Sequence, residues 1–141
     1  FIFNEASPET LFNGVVKNTL DLVGGTMNDQ LYNSYASFYG GKGGQFNRFF
    51  YTERALDQYW KKFYINILKN NQEIIDNYSG DSNYSNRVSI AKIWKSYVYS
   101  ILVSTFGPVP YQEALQGENE AAYDSEEFIY TDILASIYCW V

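Results

Sequence analysis

The sequence contains no histidine and a single cysteine, Cys139. Without histidine there is no Ser-His-Asp or Cys-His nucleophile site, and no Cys/His set of four ligands for zinc. One cysteine excludes a disulfide within the chain and leaves the redox compartment open. Basic residues are scarce, 10 Lys and Arg against 16 Asp and Glu, for a formal charge of −6. Such a chain is poorly suited to grip nucleic acid phosphates or an anionic membrane surface. No apolar run approaches the roughly 20 residues that a membrane-spanning helix needs. The opening residues Phe1 to Glu5 carry no basic region and no small-residue cleavage site. No signal peptide is therefore expected, and an exported protein would be represented by a processed or trimmed form.

What the chain does have is rings. Its 141 residues match the length of about one domain, and 46% of them are hydrophobic, enough for a sizeable core. Aromatics reach 19%, with 14 Tyr, 10 Phe and 3 Trp. A chain of this kind either packs its helices with flat rings or presents rings to a flat ligand.

The apolar spacing predicts an all-α fold of four or five helices. Ser7 reads as an N-cap, Pro8 as the first helical residue, and Gly24-Gly25 as the stop of a helix near 9–23. Residues 26–52 lack a clean period, and part of them, around 28–39, is expected to be helical. Positions 56, 60, 63, 67, 71, 74 and 78 step by four and three, an amphipathic helix of about seven turns, with Asn71 as its one polar intruder. A further helix is expected over 86–105, with Val88, Ala91, Trp94, Val98, Ile101 and Thr105 on one face. Ile90, Ile93, Tyr97 and Leu102 widen that face, so burial on more than one side is expected. Gly107, Pro108 and Pro110 end it. Asp124-Ser125-Glu126-Glu127 has the capping-box form and opens a helix near 125–138. No strand pattern is evident. That last helix reaches Val141 without a stop signal, which reads as a fragment or an abrupt ending. Trp60, Phe63, Ile67, Trp94, Val98 and Ile101 are the expected core. Trp60 and Trp94 lie 34 residues apart, the tetratricopeptide (TPR) period, without the rest of that pattern.

Four linked pieces between residues 90 and 134 are more specific. They are a helix carrying Ala91, Lys95 and Tyr97; the turn Phe106-Gly107-Pro108-Val109-Pro110-Tyr111; Glu113-Ala114-Leu115; and Tyr123-Asp124-Ser125 leading to Ile129-Tyr130. In this order and spacing they resemble the SusD/RagB family, nutrient-binding lipoproteins of the Bacteroidota outer membrane. Trp60, Tyr64, Asn70-Asn71 and Ile74-Ile75, with Ala6-Ser7-Pro8-Glu9 and Leu11, are similar to the family's preceding helices. The resemblance implies a long-helix, TPR-like array, with residues 1–141 as the N-terminal helical part of a longer SusD-like domain. It implies a surface-exposed lipoprotein anchored through a lipobox cysteine upstream of this chain. It also implies an oligosaccharide or related nutrient as ligand, a SusC-like TonB-dependent transporter as partner, and no cofactor. The closing residues Tyr138 to Val141 depart from the family's continuation. Physically, the turn reads as architecture. Gly107 can supply the positive φ of a tight helix exit, the prolines stiffen the chain, Tyr111 folds back onto the helices and Asp124 caps the next one.

Three groups of residues could carry chemistry. The carboxylates Glu118/Glu120 and Asp124/Glu126/Glu127 would need to face one another about 5 to 9 Å apart to act as a glycosidase pair, and a solvated loop and a helix cap account for them. Gly40 to Gly44 has neither the Lys-Ser/Thr pair nor the preceding strand of a phosphate loop, and no calcium-loop spacing is present. The stretch 32–51 is the better candidate. Tyr35, Phe38, Tyr39, Phe46 and Tyr51 can stack on sugar faces, and Asn33, Gln45, Asn47 and Arg48 among them can bond hydroxyls. The alternative is that these rings pin a long loop to the helices. Trp60, Phe63, Trp94 and Tyr97 lie on helical stripes and read as core. The reading that follows is a non-catalytic glycan-binding component of an outer-membrane uptake system. Its alternatives are a helical protein-interaction scaffold and, last, an enzyme.

Overall fold

The computed structural model describes residues 7–32, 53–116 and 120–140. Helix α1 (Pro8–Leu20) opens as its sequence dictates: Pro8 is the first helical residue, and the Ser7 hydroxyl accepts the Thr10 N–H at 3.3 Å. The chain then stays helical through Asp21–Tyr32 with wider, π-type turns. Gly24 and Gly25 therefore do not stop the helix. A glycine stop needs a left-handed residue, and among the described glycines Gly107 has the positive φ. Leu22 and Met27, on either side of the pair, are fully buried and hold this extension on the core.

Helices α2 (Glu53–Lys61) and α3 (Lys69–Tyr78) form one long rod through a π-type segment, Lys62–Leu68. A short 3-10 turn, Ser82–Tyr84, leads into α4 (Ser85–Phe106). Strands β1 (Val109–Pro110) and β2 (Tyr123–Asp124) pair antiparallel, and α5 (Glu126–Trp140) follows. The expected all-α class holds. Two-residue strands leave no periodic trace in a sequence, which is why this small pair was not foreseen.

α1 lies across the α2–α3 rod, α3 packs on α4, and α4 packs on α5. The main core joins Leu22, Met27, Phe63, Ile67, Tyr99, Leu102 and Ile129, among others. A smaller cluster of Ile74, Ile75 and Ala91 lies under Leu11, Phe12 and Tyr78. Asn71, the polar intruder, is buried and donates to the Ala91 carbonyl at 2.7 Å, so it ties α3 to α4 where an apolar residue could only touch.

Half of the expected core list is fully buried: Phe63, Ile67 and Val98. Trp60, Trp94 and Ile101 are only partly buried and roof the core. Indoles are large and seek a partner for their N–H. That of Trp94 donates to Thr19 at 3.2 Å, and the Thr19 hydroxyl in turn bonds the Val15 carbonyl. α4 does bury more than one side, through Tyr99, Leu102 and Val103, while Ile90, Ile93 and Tyr97 face outward. Of the four residues expected to widen the apolar face, Leu102 does so and Ile90, Ile93 and Tyr97 do not.

Two glycines give opposite expectations. Gly107 caps α4 at φ 78°, ψ −135°, a region that side chains strongly disfavour. Gly107→Ala should cost roughly 1–3 kcal/mol. Gly14, inside α1, has open space around a built Cβ, so Gly14→Ala should stabilise by about 0.5–1 kcal/mol. Urea titration of both variants checks the pair; equal effects of one sign would remove the backbone argument.

Candidate functional site

The turn after α4 is built around Asp124. One carboxylate oxygen accepts the backbone N–H of Tyr111 at 3.1 Å and of Gln112 at 2.9 Å, and the other accepts the Gln112 side-chain amide at 2.7 Å. Burial pushes the Asp124 carboxyl up, but these donors outweigh it and hold it below the ordinary carboxylate range. Asp124 therefore does not cap α5. Ser125 does, accepting the Phe128 N–H at 3.2 Å, while Asp124 sits one residue earlier in β2. The capping-box expectation was off by that single residue, because a carboxylate serves a turn and a helix start equally well.

Tyrosines line the inner side of this turn. Tyr64 donates to the Pro110 carbonyl at 2.8 Å, and Tyr111 donates to Asp132 at 2.6 Å with its ring against Tyr99 at 4.6 Å. Tyr111 thus folds back onto the helices as expected. Burial pushes the phenols of Tyr64, Tyr99 and Tyr111 up, so they stay neutral. Lys95 reaches Gln72 of α3 at 2.8 Å. Burial draws its ammonium below the ordinary value, against the opposing pull of Asp76 and Asp132. Trp60 closes the outside, stacked on Tyr123 at 6.4 Å and edge-on to Phe106 at 5.5 Å. These groups are committed to one another, so the segment works as architecture.

The surface formed by the described residues includes two depressions along α4. One, of about 150 Å³, lies between α1 and α4 and is lined by Pro8, Phe12, Ile74 and Ile90, with the Glu9–Arg87 ion pair (2.6 Å) among its residues. The other, of about 360 Å³, runs along the outer face of α4 between Tyr32 and Tyr97, with Ser100, Ser104 and Thr105 beside them. Tyr97 is 45% exposed and was misread as core. The sequence signal that could have found this groove is a hydroxyl stripe at helical spacing, positions 97, 100, 104 and 105.

The ring candidates Tyr35, Phe38, Tyr39, Phe46 and Tyr51 lie outside the described residues, as do Gly40 to Gly44 and Glu118. Of the paired carboxylates, Asp124 is held by the turn, and Glu120, Glu126 and Glu127 are exposed. Among the described residues no group of three His, Cys, Asp or Glu could hold a metal ion. No helix among them is long and apolar enough to cross a membrane.

Asp124→Ala should lower stability at neutral pH by roughly 1–2 kcal/mol, since three hydrogen bonds are lost from a half-exposed group. A depressed carboxyl stabilises above its unfolded value of about 3.9 and loses that contribution as pH falls through the folded value. The gap between wild type and variant should therefore close in acid. A gap in melting temperature that persists at about pH 2 would assign the loss to packing.

The arrangement of turn, helices and groove meets an independent comparison. A SusD-like family model, described as starch-binding and associating with the outer membrane, matches residues 1–138. Among curated proteins none matches the chain. The family match spans nearly the whole sequence, including every residue of the Gly107–Asp124 turn and of the α4 groove; the chain belongs to the SusD-like family.

Proposed function

We propose that this chain is the N-terminal helical part of a surface lipoprotein that captures an oligosaccharide at the outer membrane and hands it to a SusC-like TonB-dependent transporter. The observation that carries this reading is the match of residues 1–138 to a family described as starch-binding and associating with the outer membrane. The mechanism is capture without bond breaking. Rings cover the apolar faces of the sugar, amides and hydroxyls hold its O–H groups, and the helical array, TPR-like in this reading, keeps that surface in place.

Within this reading Tyr35, Phe38, Tyr39, Phe46 and Tyr51 supply part of the contact surface. Affinity should be modest. Each stacked ring contributes about 0.5–1.5 kcal/mol, and a segment containing Gly40 to Gly44 loses conformational freedom on binding. A Kd from about 10 µM to about 1 mM is expected for an oligosaccharide.

The test is calorimetric titration of the full-length protein with maltoheptaose and other oligosaccharides, and co-purification with the transporter. Replacing Tyr35, Tyr39 and Tyr51 together by Ala should weaken binding at least tenfold, by about 1.4 kcal/mol or more. Unchanged affinity would return those rings to packing. An intact protein that takes neither glycan nor transporter would end the capture reading.

A further inference from the structure

We propose that the groove on the outer face of α4 between Tyr32 and Tyr97 is a subsite for one ring of an uncharged sugar; this rests on the capture reading above and gives it a location and a ligand class. The first argument is the state of its hydroxyls. Ser100 donates its O–H to the Tyr97 carbonyl at 2.7 Å, and Thr105 donates its O–H to the Ile101 carbonyl at 2.8 Å. A carbonyl can only accept, so both protons are committed. The Tyr32–Thr105 contact at 3.0 Å then has one possible donor, Tyr32. Ser104 and the Tyr130 hydroxyl form a further pair at 2.8 Å. With their protons committed, Ser100 and Thr105 offer a ligand acceptors and no donors, beside the apolar Val23 and Ile101 of the same lining. Acceptors next to apolar surface complement a ligand that has both O–H donors and C–H faces.

Charge narrows the class. Among the described residues no Lys, Arg, Asp or Glu lines the groove. An anionic sugar would find acceptors and no cation, and a cationic one would leave water without a counter-charge. A neutral polyol incurs neither cost. The volume, about 360 Å³, lies at the lower end of the roughly 300–1,000 Å³ of small-molecule sites.

The walls are aromatic and already held. Tyr97 keeps 45% of its surface exposed while its ring rests on Trp94 at 5.3 Å. Tyr32 is 38% exposed and tethered by its bond to Thr105. A sugar stacking on Tyr97 therefore orders little that folding has not already ordered. Core packing does not explain this ring, since Val98 and Tyr99, beside it in sequence, are fully buried while it faces outward.

The experiment uses the full-length protein, titrated with maltoheptaose, xylohexaose and mannohexaose as neutral probes, and with an oligogalacturonide and a chitosan oligomer as charged ones. Tyr97→Ala should weaken the best neutral probe about tenfold or more, Tyr97→Phe should bind within about twofold of wild type because the ring is kept, and Ser100→Ala should weaken it about threefold. Ser100→Ala removes one hydroxyl from a half-buried position on a long helix, so it reports even where Tyr97→Ala fails to fold. If wild type binds a neutral probe and both Ala variants bind it equally well, the groove assignment is overturned and the capture reading stands. If wild type binds only a charged probe, the uncharged class is overturned. If it binds none of the five, the capture reading and the groove fall together.

Discussion

The Asp124 carboxylate fixes the course of the chain between α4 and α5. The sharp exit at Gly107 only points the backbone away from α4; it does not say where the chain goes next. The bonds from Tyr111 and Gln112 to Asp124 do that, because they lock β1 beside β2. With that lock in place Val109 is fully buried, Tyr111 lies across Tyr99, and α5 starts at the right distance to set Ile129 and Ile133 into the core. Charge-assisted bonds are stronger than neutral ones. A carboxylate left partly hydrated avoids the heavy penalty of full burial. Asp124 has both properties, which suits it to hold a turn built from two prolines that offer no backbone donors of their own.

How far the fold could be read beforehand follows from which physical signals are periodic. The four-and-three spacing from Leu56 to Tyr78 is a property of a helix face, and it survives the π-type segment inside the rod because Phe63, Ile67, Asn71 and Ile74 still reach the core. The N-cap at Ser7 and the exit at Gly107 are local chemistry, and both are where the residues place them. The errors share a cause. Whether Gly24-Gly25 stops a helix depends on Leu22 and Met27 finding buried places, and whether Asp124 serves a turn or a helix depends on where residues 111 and 112 come to lie. Those are tertiary facts that no window of sequence contains.

The candidate surface was less legible than the fold, for a related reason. Rings and amides in 32–51 announce themselves by composition, but composition does not place them. The α4 groove has the reverse character. Serine and threonine carry no hydrophobic signal, and Tyr97 sits beside the buried Val98, Tyr99, Leu102 and Val103, so it read as one more core ring. Only the direction of the Ser100 and Thr105 hydroxyls, set by the carbonyls one turn back, reveals an acceptor face.

A helix-borne groove has a consequence for what such a protein should hold. One sugar ring on one tyrosine gains little, since stacking is exchanged against contacts that water already makes. A chain of sugars differs, because a second ring held elsewhere on the same molecule binds as an intramolecular event, at an effective concentration set by the sugar chain's length and stiffness. That gain requires the two contacts to keep a fixed separation. Tyr97 meets the requirement on its side, being carried on a helix of 22 residues and braced by Trp94, which is itself pinned to Thr19 of α1. A rigid weak subsite of this kind favours oligomers over single sugars without needing tight binding anywhere. Weak contacts at each ring also leave the ligand free to depart, as the proposed hand-over to a transporter would require.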